Sequence, residues 1–142
     1  MRKTLIAGML IVFLSACSSG ISVDYEDKVS IEGETLVIEG ETSLDDGSLI
    51  SYEITNYEVS EILDDGTMEV VDGKFSTEID ASEYPAGEFE VYTAFLPYMQ
   101  PENIKEIYGE DGSNLSLGGS VNYLEGNTDI KVIESTKTFE KH

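Results

Sequence analysis

"TMEVVDGKFSTEI" (Thr67–Ile79) is the stretch whose reading decides the fold. Asp72-Gly73 lies between two runs in which apolar and polar residues alternate. A two-residue hairpin turn needs positive φ at both central positions, and Asp-Gly supplies it. Closing that turn pairs Val71 with Lys74, Val70 with Phe75 and Met68 with Thr77. The register puts Met68, Val70, Phe75, Thr77 and Ile79 on one face, so turn chemistry and apolar pattern agree.

The same period of two runs outward in both directions. "VSIEG" sets Val29 and Ile31 on one side, and "TLVIEGET" sets Leu36 and Ile38 opposite Glu39 and Glu41. "LISYEIT" turns Ile50, Tyr52 and Ile54 inward, and "EFEVYTAF" does so with Phe89, Val91, Thr93 and Phe95. Such alternation marks strands with one wet face. The closing strand is "TDIKVIESTKTFE" (128–140), with "SVNYL" paired to it across Glu125-Gly126-Asn127. One segment departs from the pattern. Pro101 can start a helix and Gly109 can end one, while Ile104, Ile107 and Tyr108 form an i, i+3, i+4 stripe. A short helix near 101–108 is expected, lying across one end of the sheets.

Seven or eight short strands separated by turn residues predict an all-β, antiparallel two-sheet sandwich. The pattern is similar to immunoglobulin-like domains, of the disulfide-free kind found in bacterial surface proteins. The single cysteine and the absence of tryptophan rule out the disulfide and core tryptophan of antibody domains. The likeness concerns architecture and implies no activity.

The chain opens "MRKTLIAGMLIVFLSACSSG". Arg2 and Lys3 precede an apolar run from Leu5 to Leu14, too short for a spanning helix of about 20 residues and shaped like a secretory signal. Leu14-Ser15-Ala16-Cys17 resembles the lipobox of bacterial lipoproteins. That resemblance implies cleavage of residues 1–16 and a diacylglyceryl group on the Cys17 thiol. It places the mature protein outside the cytoplasm, held to the membrane by its lipidated N-terminus. Two acyl chains suffice for stable anchoring at about 0.8 kcal/mol per buried methylene. Residues 17–27 are expected to be the lipidated cysteine and a flexible tether, and 28–142 the domain. "QPENIKEIYGEDGSNLS" (Gln100–Ser116) also resembles a segment of small lipoproteins of Gram-positive bacteria.

All 29 acidic residues follow Cys17, so loss of Arg2 and Lys3 would take the formal charge from −21 to −23. That excludes nucleic acid, whose phosphates need clustered Lys and Arg. It leaves a protein or other cell-envelope component as the partner, apart from the membrane reached through the anchor.

Two copies of Leu-Asp-Asp-Gly, at 44–47 and 63–66, and Glu110-Asp111-Gly112 raise the question of calcium. An EF-hand needs acidic or amide ligands at the first, third and fifth positions before its glycine. Thr42 and Leu44, Leu63, and Ile107 and Gly109 break the three sets in turn, so no EF-hand is present. Asp-Gly also makes ordinary turns, which is the simpler reading of both copies. If each connection reverses the chain, Asp45, Asp46, Asp72, Glu110 and Asp111 share one pole and form the candidate calcium set. Asp64, Asp65 and Glu83 fall at the other.

The only histidine is the terminal His142, which removes Ser-His and Cys-His catalysis. No acid sits in an apolar run where its pKa would rise. No cofactor is implied beyond the calcium candidate. Tyr92, Tyr98 and Met99 are the candidate binding surface. The leading expectation is a non-catalytic, lipid-anchored binding or adaptor module acting through its loops or a tyrosine-bearing face. A structural or protective acidic surface lipoprotein is the alternative, followed by a small acidic-site hydrolase.

Overall fold

The computed structural model describes residues 20–142. Cys17 and the leader lie outside them. Eight strands make two antiparallel sheets. The smaller has the order β1 (Tyr25–Glu32), β2 (Thr35–Thr42), β5 (Lys74–Asp80). The larger runs β4 (Glu61–Glu69), β3 (Leu49–Asn56), β6 (Gly87–Phe95), β8 (Asn127–Lys141), β7 (Val121–Leu124). Strands one, two and five thus face strands three, six and eight. This is the immunoglobulin-like arrangement of A, B, E against C, F, G, with β4 at the edge beside C.

The core fills as the alternation requires. Leu36 and Ile38 of β2, Ile50 and Ile54 of β3, and Phe89, Val91 and Phe95 of β6 are fully buried. Phe89 stacks on Phe139 with ring centroids 5.1 Å apart, the kind of aromatic pair that adds about 0.5–1.5 kcal/mol beyond its burial. The predicted helix is α1 (Glu102–Tyr108), entered at Pro101 and ended at Gly109 with φ 85°. Ile104 and Tyr108 are its buried residues, and a 3-10 turn at Pro97–Met99 precedes it.

The opening stretch behaves differently from its sequence-based reading. Asp72 and Gly73 do take positive φ, 52° and 74°, and Val71 and Lys74 exchange both hydrogen bonds. The hairpin stops there. β4 pairs with β3, and β5 pairs with β2 in the other sheet. Val70 turns instead to the preceding loop, donating to the Ser48 carbonyl and accepting from the Gly47 amide, each at 2.9 Å. On the other side, Thr42 N–H donates to the Gly73 carbonyl. The turn is therefore a corner between sheets. Met68, Val70, Phe75 and Ile79 are buried in one core, as expected, but from facing sheets. A period of two fixes which face is apolar; it does not name the hydrogen-bonding partner.

Two further expectations are corrected. The described part of the tether is bound into the domain. Ile21 N–H donates to Asn114 O, Ser116 N–H donates to Ile21 O, and Val23 and Tyr25 are buried. Hydrophobic side chains at 21, 23 and 25 alternate, too sparsely to be read as a strand beside the acids around them. The second Leu-Asp-Asp-Gly is no turn either: it lies within β4, with Asp64 opposite Ile54, Asp65 opposite Glu53 and Gly66 opposite Tyr52.

Candidate functional site

Two places combine chemistry with access: a polar cleft at one side and an apolar tip at one end.

The cleft arises because β7 is short. β7 covers β8 only from Asn127 to Ile133, which leaves the later residues of β8 with a free edge on that side. The free edge of β1 lies near it. Between them is a cleft of about 770 Å³, lined by Tyr25, Asp27, Lys28, Ser120, Ser135 and Lys137 among others. The Asp27 side chain is only 3% exposed. Its Oδ2 accepts from the Thr93 hydroxyl at 2.8 Å, and its Oδ1 accepts from Ser135 Oγ at 2.7 Å. Lys137 Nζ stands 4.0 Å from Oδ1. The Tyr25 hydroxyl donates to Thr93 Oγ1 at 2.8 Å, and its ring stacks on Phe75 at 5.3 Å. Burial pushes the Tyr25 hydroxyl far above the usual tyrosine range, with the Asp27 charge adding to the effect.

This set is a polar clasp. It joins β1 to β6 and β8, where the rest of the core uses apolar contacts. Among the described residues, no buried side-chain polar atom lacks a hydrogen-bond partner, so the clasp is satisfied internally. Lys137, 47% exposed, is the member of the clasp that turns a charged group toward solvent, in a cleft whose rim also carries the exposed Glu26, Lys28, Glu39, Glu41, Lys74 and Glu134. Sequence reading missed Asp27 by assigning it to the tether. The available signal was the spacing of Tyr25, Asp27, Val29 and Ile31, which places an acid on the inward side of a strand.

The tip is the β3–β4 connection. Asn56 organises it: its Oδ1 accepts from Glu58 N–H at 2.9 Å and its carbonyl from Ser60 N–H at 2.8 Å. Tyr57 N–H donates to Glu88 O at 3.1 Å. Around this frame Tyr57, Val59 and Ile62 are 60%, 63% and 55% exposed.

The residues singled out from the sequence fall elsewhere. Asp45 and Asp46 sit in the β2–β3 loop, at the same pole as the Asp72 turn and the loop of Glu110 and Asp111. Gly47 bonds to Val70 and Thr42 to Gly73, which ties the first loop to the Asp72 turn, while Asp111 bonds to Lys131 of β8. The Tyr108 hydroxyl accepts from Asp45 N–H at 2.9 Å and donates to Asp45 Oδ1 at 3.1 Å. Burial and the Asp45 carboxylate push the Tyr108 hydroxyl up to about 12, against a partial lowering by the Asp45 amide. Among the described residues, no three carboxylates gather as a metal ion would require. Tyr98 and Met99 are exposed on the 3-10 turn. Tyr92 is half-buried, and burial beside the Glu134 carboxylate raises its hydroxyl well above the usual range.

No protein-family model matches the chain, and no curated protein matches it. Among solved structures, it is similar to wild-type OgpA from Akkermansia muciniphila in two crystal forms. Those likenesses have a TM-score of 0.48 at 14% and 12% identity, and cover 87% of this chain and 28% and 29% of the others. It is also similar to catalytically inactive OgpA in complex with an O-glycopeptide (glycodrosocin) substrate. There the TM-score is 0.45 at 14% identity, covering 91% of this chain and 32% of that one. The chain thus spans about a third or less of the length of these structures.

Proposed function

We propose that this chain is a lipid-anchored extracytoplasmic binding module, held by Cys17 and acting by contact without catalysis. The observation that supports it is the opposed placement of its two ends. The chain enters beside Leu115, at the pole of the Asp72 turn. The exposed tip stands at the far ends of the strands, where Tyr57 bonds to Glu88 and Ala81 to Glu34. Strands of eight residues separate the two poles by roughly 25 Å. A module fixed at one end and offering an ordered apolar surface at the other suits an adaptor reaching away from the membrane. The formal charge of −21 favours a second reading, in which a repulsive acidic surface is itself the role.

Metabolic labelling with a fatty-acid analogue tests the anchor. Label is expected on the wild type and absent from Cys17→Ser, which should leave the membrane fraction. Membrane retention of Cys17→Ser would end this reading.

A further inference from the structure

We propose that the β3–β4 tip is a docking surface for a basic, partly apolar protein surface in the cell envelope, an inference that rests on the binding-module reading. Tyr57, Val59 and Ile62 expose more than half of their surfaces within six residues. Val71, Met99, Leu117 and Ile21 are also exposed, but they are spread along the chain from 21 to 117, and Leu36, Ile38, Ile50, Ile54, Ile104 and Ile133 are fully enclosed. The tip is ordered beforehand, by the two hydrogen bonds to Asn56 and the one to Glu88. A register shift between Ile54 and Thr55 lies immediately beneath it. Such ordering lowers the entropy cost of binding.

Charge names the partner's chemistry. Glu58 and Glu61 sit on the tip, Glu88 is hydrogen-bonded to it, and Glu83 lies in the β5–β6 connection at the same end. The lysine at this end, Lys141, has its ammonium tied to the carbonyls of Ala81, Ser82 and Tyr84 at 2.7, 3.2 and 2.6 Å. Apolar side chains interspersed with carboxylates complement a surface that is partly apolar and basic. Anionic lipid is the wrong sign, and the tip points away from the anchor. A second copy brings the same carboxylates and is repelled.

The test uses the full chain in two arms. In solution, it is titrated with a helical lysine–leucine peptide and with a lysine–serine peptide of equal charge. Tyr57→Ser/Val59→Ser/Ile62→Ser changes only exposed side chains, and circular dichroism checks its fold. The triple variant should weaken lysine–leucine binding by roughly tenfold or more while leaving lysine–serine binding unchanged. Glu58→Gln/Glu61→Gln should weaken both and reduce the salt dependence. Equal lysine–leucine binding by wild type and triple variant would overturn the proposal. In cells, a photo-crosslinking residue replaces Tyr57. A covalent adduct with a protein of basic isoelectric point is expected. An adduct with lipid or a second copy, or no adduct, overturns it. Neither arm depends on whether Cys17 carries lipid in the labelling experiment, so the two readings fail separately.

Discussion

Leu44-Asp45-Asp46-Gly47 and Leu63-Asp64-Asp65-Gly66 are the same four residues in two structures. The first is a loop. Leu44 is buried, Ser48 Oγ donates to the Asp45 carbonyl at 2.7 Å, and Gly47 takes φ 93°. The second is extended strand at a sheet edge, where its carboxylates blunt the edge against pairing with another chain. Glycine serves a different purpose in each. At 47 it permits a backbone conformation that residues with a side chain rarely adopt, with nothing closer than Ile104 Cδ1 at 3.8 Å. At 66 it makes room, since a Cβ there would stand 2.5 Å from the Tyr52 hydroxyl oxygen. A tyrosine hydroxyl meets the first Asp of each copy, Tyr108 at Asp45 and Tyr84 at Asp64. Tyr108 is buried and Tyr84 only half-buried. Local sequence offers a turn in both cases; the surrounding partners decide whether it forms.

The largest break in this comparison should come from Tyr108→Ala. It removes a buried ring that packs edge-on against Phe95 at 5.4 Å and also the hydroxyl that holds Asp45. A loss of about 3–5 kcal/mol is expected in denaturant unfolding. Tyr84→Ala, acting on the second copy, should cost clearly less; an equal loss would erase the distinction between the anchors.

Glycine substitutions separate conformation from space. Gly47→Ala should cost about 1–2 kcal/mol through its positive φ, and Gly47→Asn less, because Asn tolerates that region better. Gly66→Ala should cost about 1 kcal/mol, since the Tyr52 ring must swing aside. The two should respond differently to Tyr52→Ala. In that background the penalty at Gly66 should vanish and the penalty at Gly47 should stay. A double-mutant cycle with no coupling between 52 and 66 would contradict the packing account.

The smallest effect is alkaline. The folded Tyr108 hydroxyl titrates at about 12, above its ordinary 10. The folded state therefore favours the protonated form. Its contribution is complete below pH 10 and is lost as pH rises from 10 toward 12. Tyr108→Phe should reduce the fall in stability across that window, although Tyr25, Tyr84 and Tyr92, all raised chiefly by burial, will keep some of it. An unchanged slope in the variant would place the Tyr108 hydroxyl outside the fold's proton balance.

Much of the fold was legible. Alternation located the strands, Pro101 and Gly109 bracketed the helix, and Asp72-Gly73 turned with positive φ at both positions. The candidate sites were less so. The Asp27 clasp draws on β1, β6 and β8, separated by 66 and 108 residues along the chain, and no local pattern joins them. The tip is exposed where periodicity suggests cover: Tyr57 and Val59 lie in the turn beyond the end of β3, and Ile62 lies at the very start of β4.

The sequence alone determined the faces. Side-chain alternation is a property of the backbone, so the residues that enter the core follow from the order of apolar and polar groups. Tertiary structure decided the partners. Strand pairing depends on which extended segment can supply a matching ladder, and β2 and β3 offered longer ladders to β5 and β4 than those two could offer each other. That competition made a corner of the hairpin and a strand of the second Leu-Asp-Asp-Gly. Pairing with β2 and with Leu115 likewise drew residues 21–27 out of the tether and into the domain.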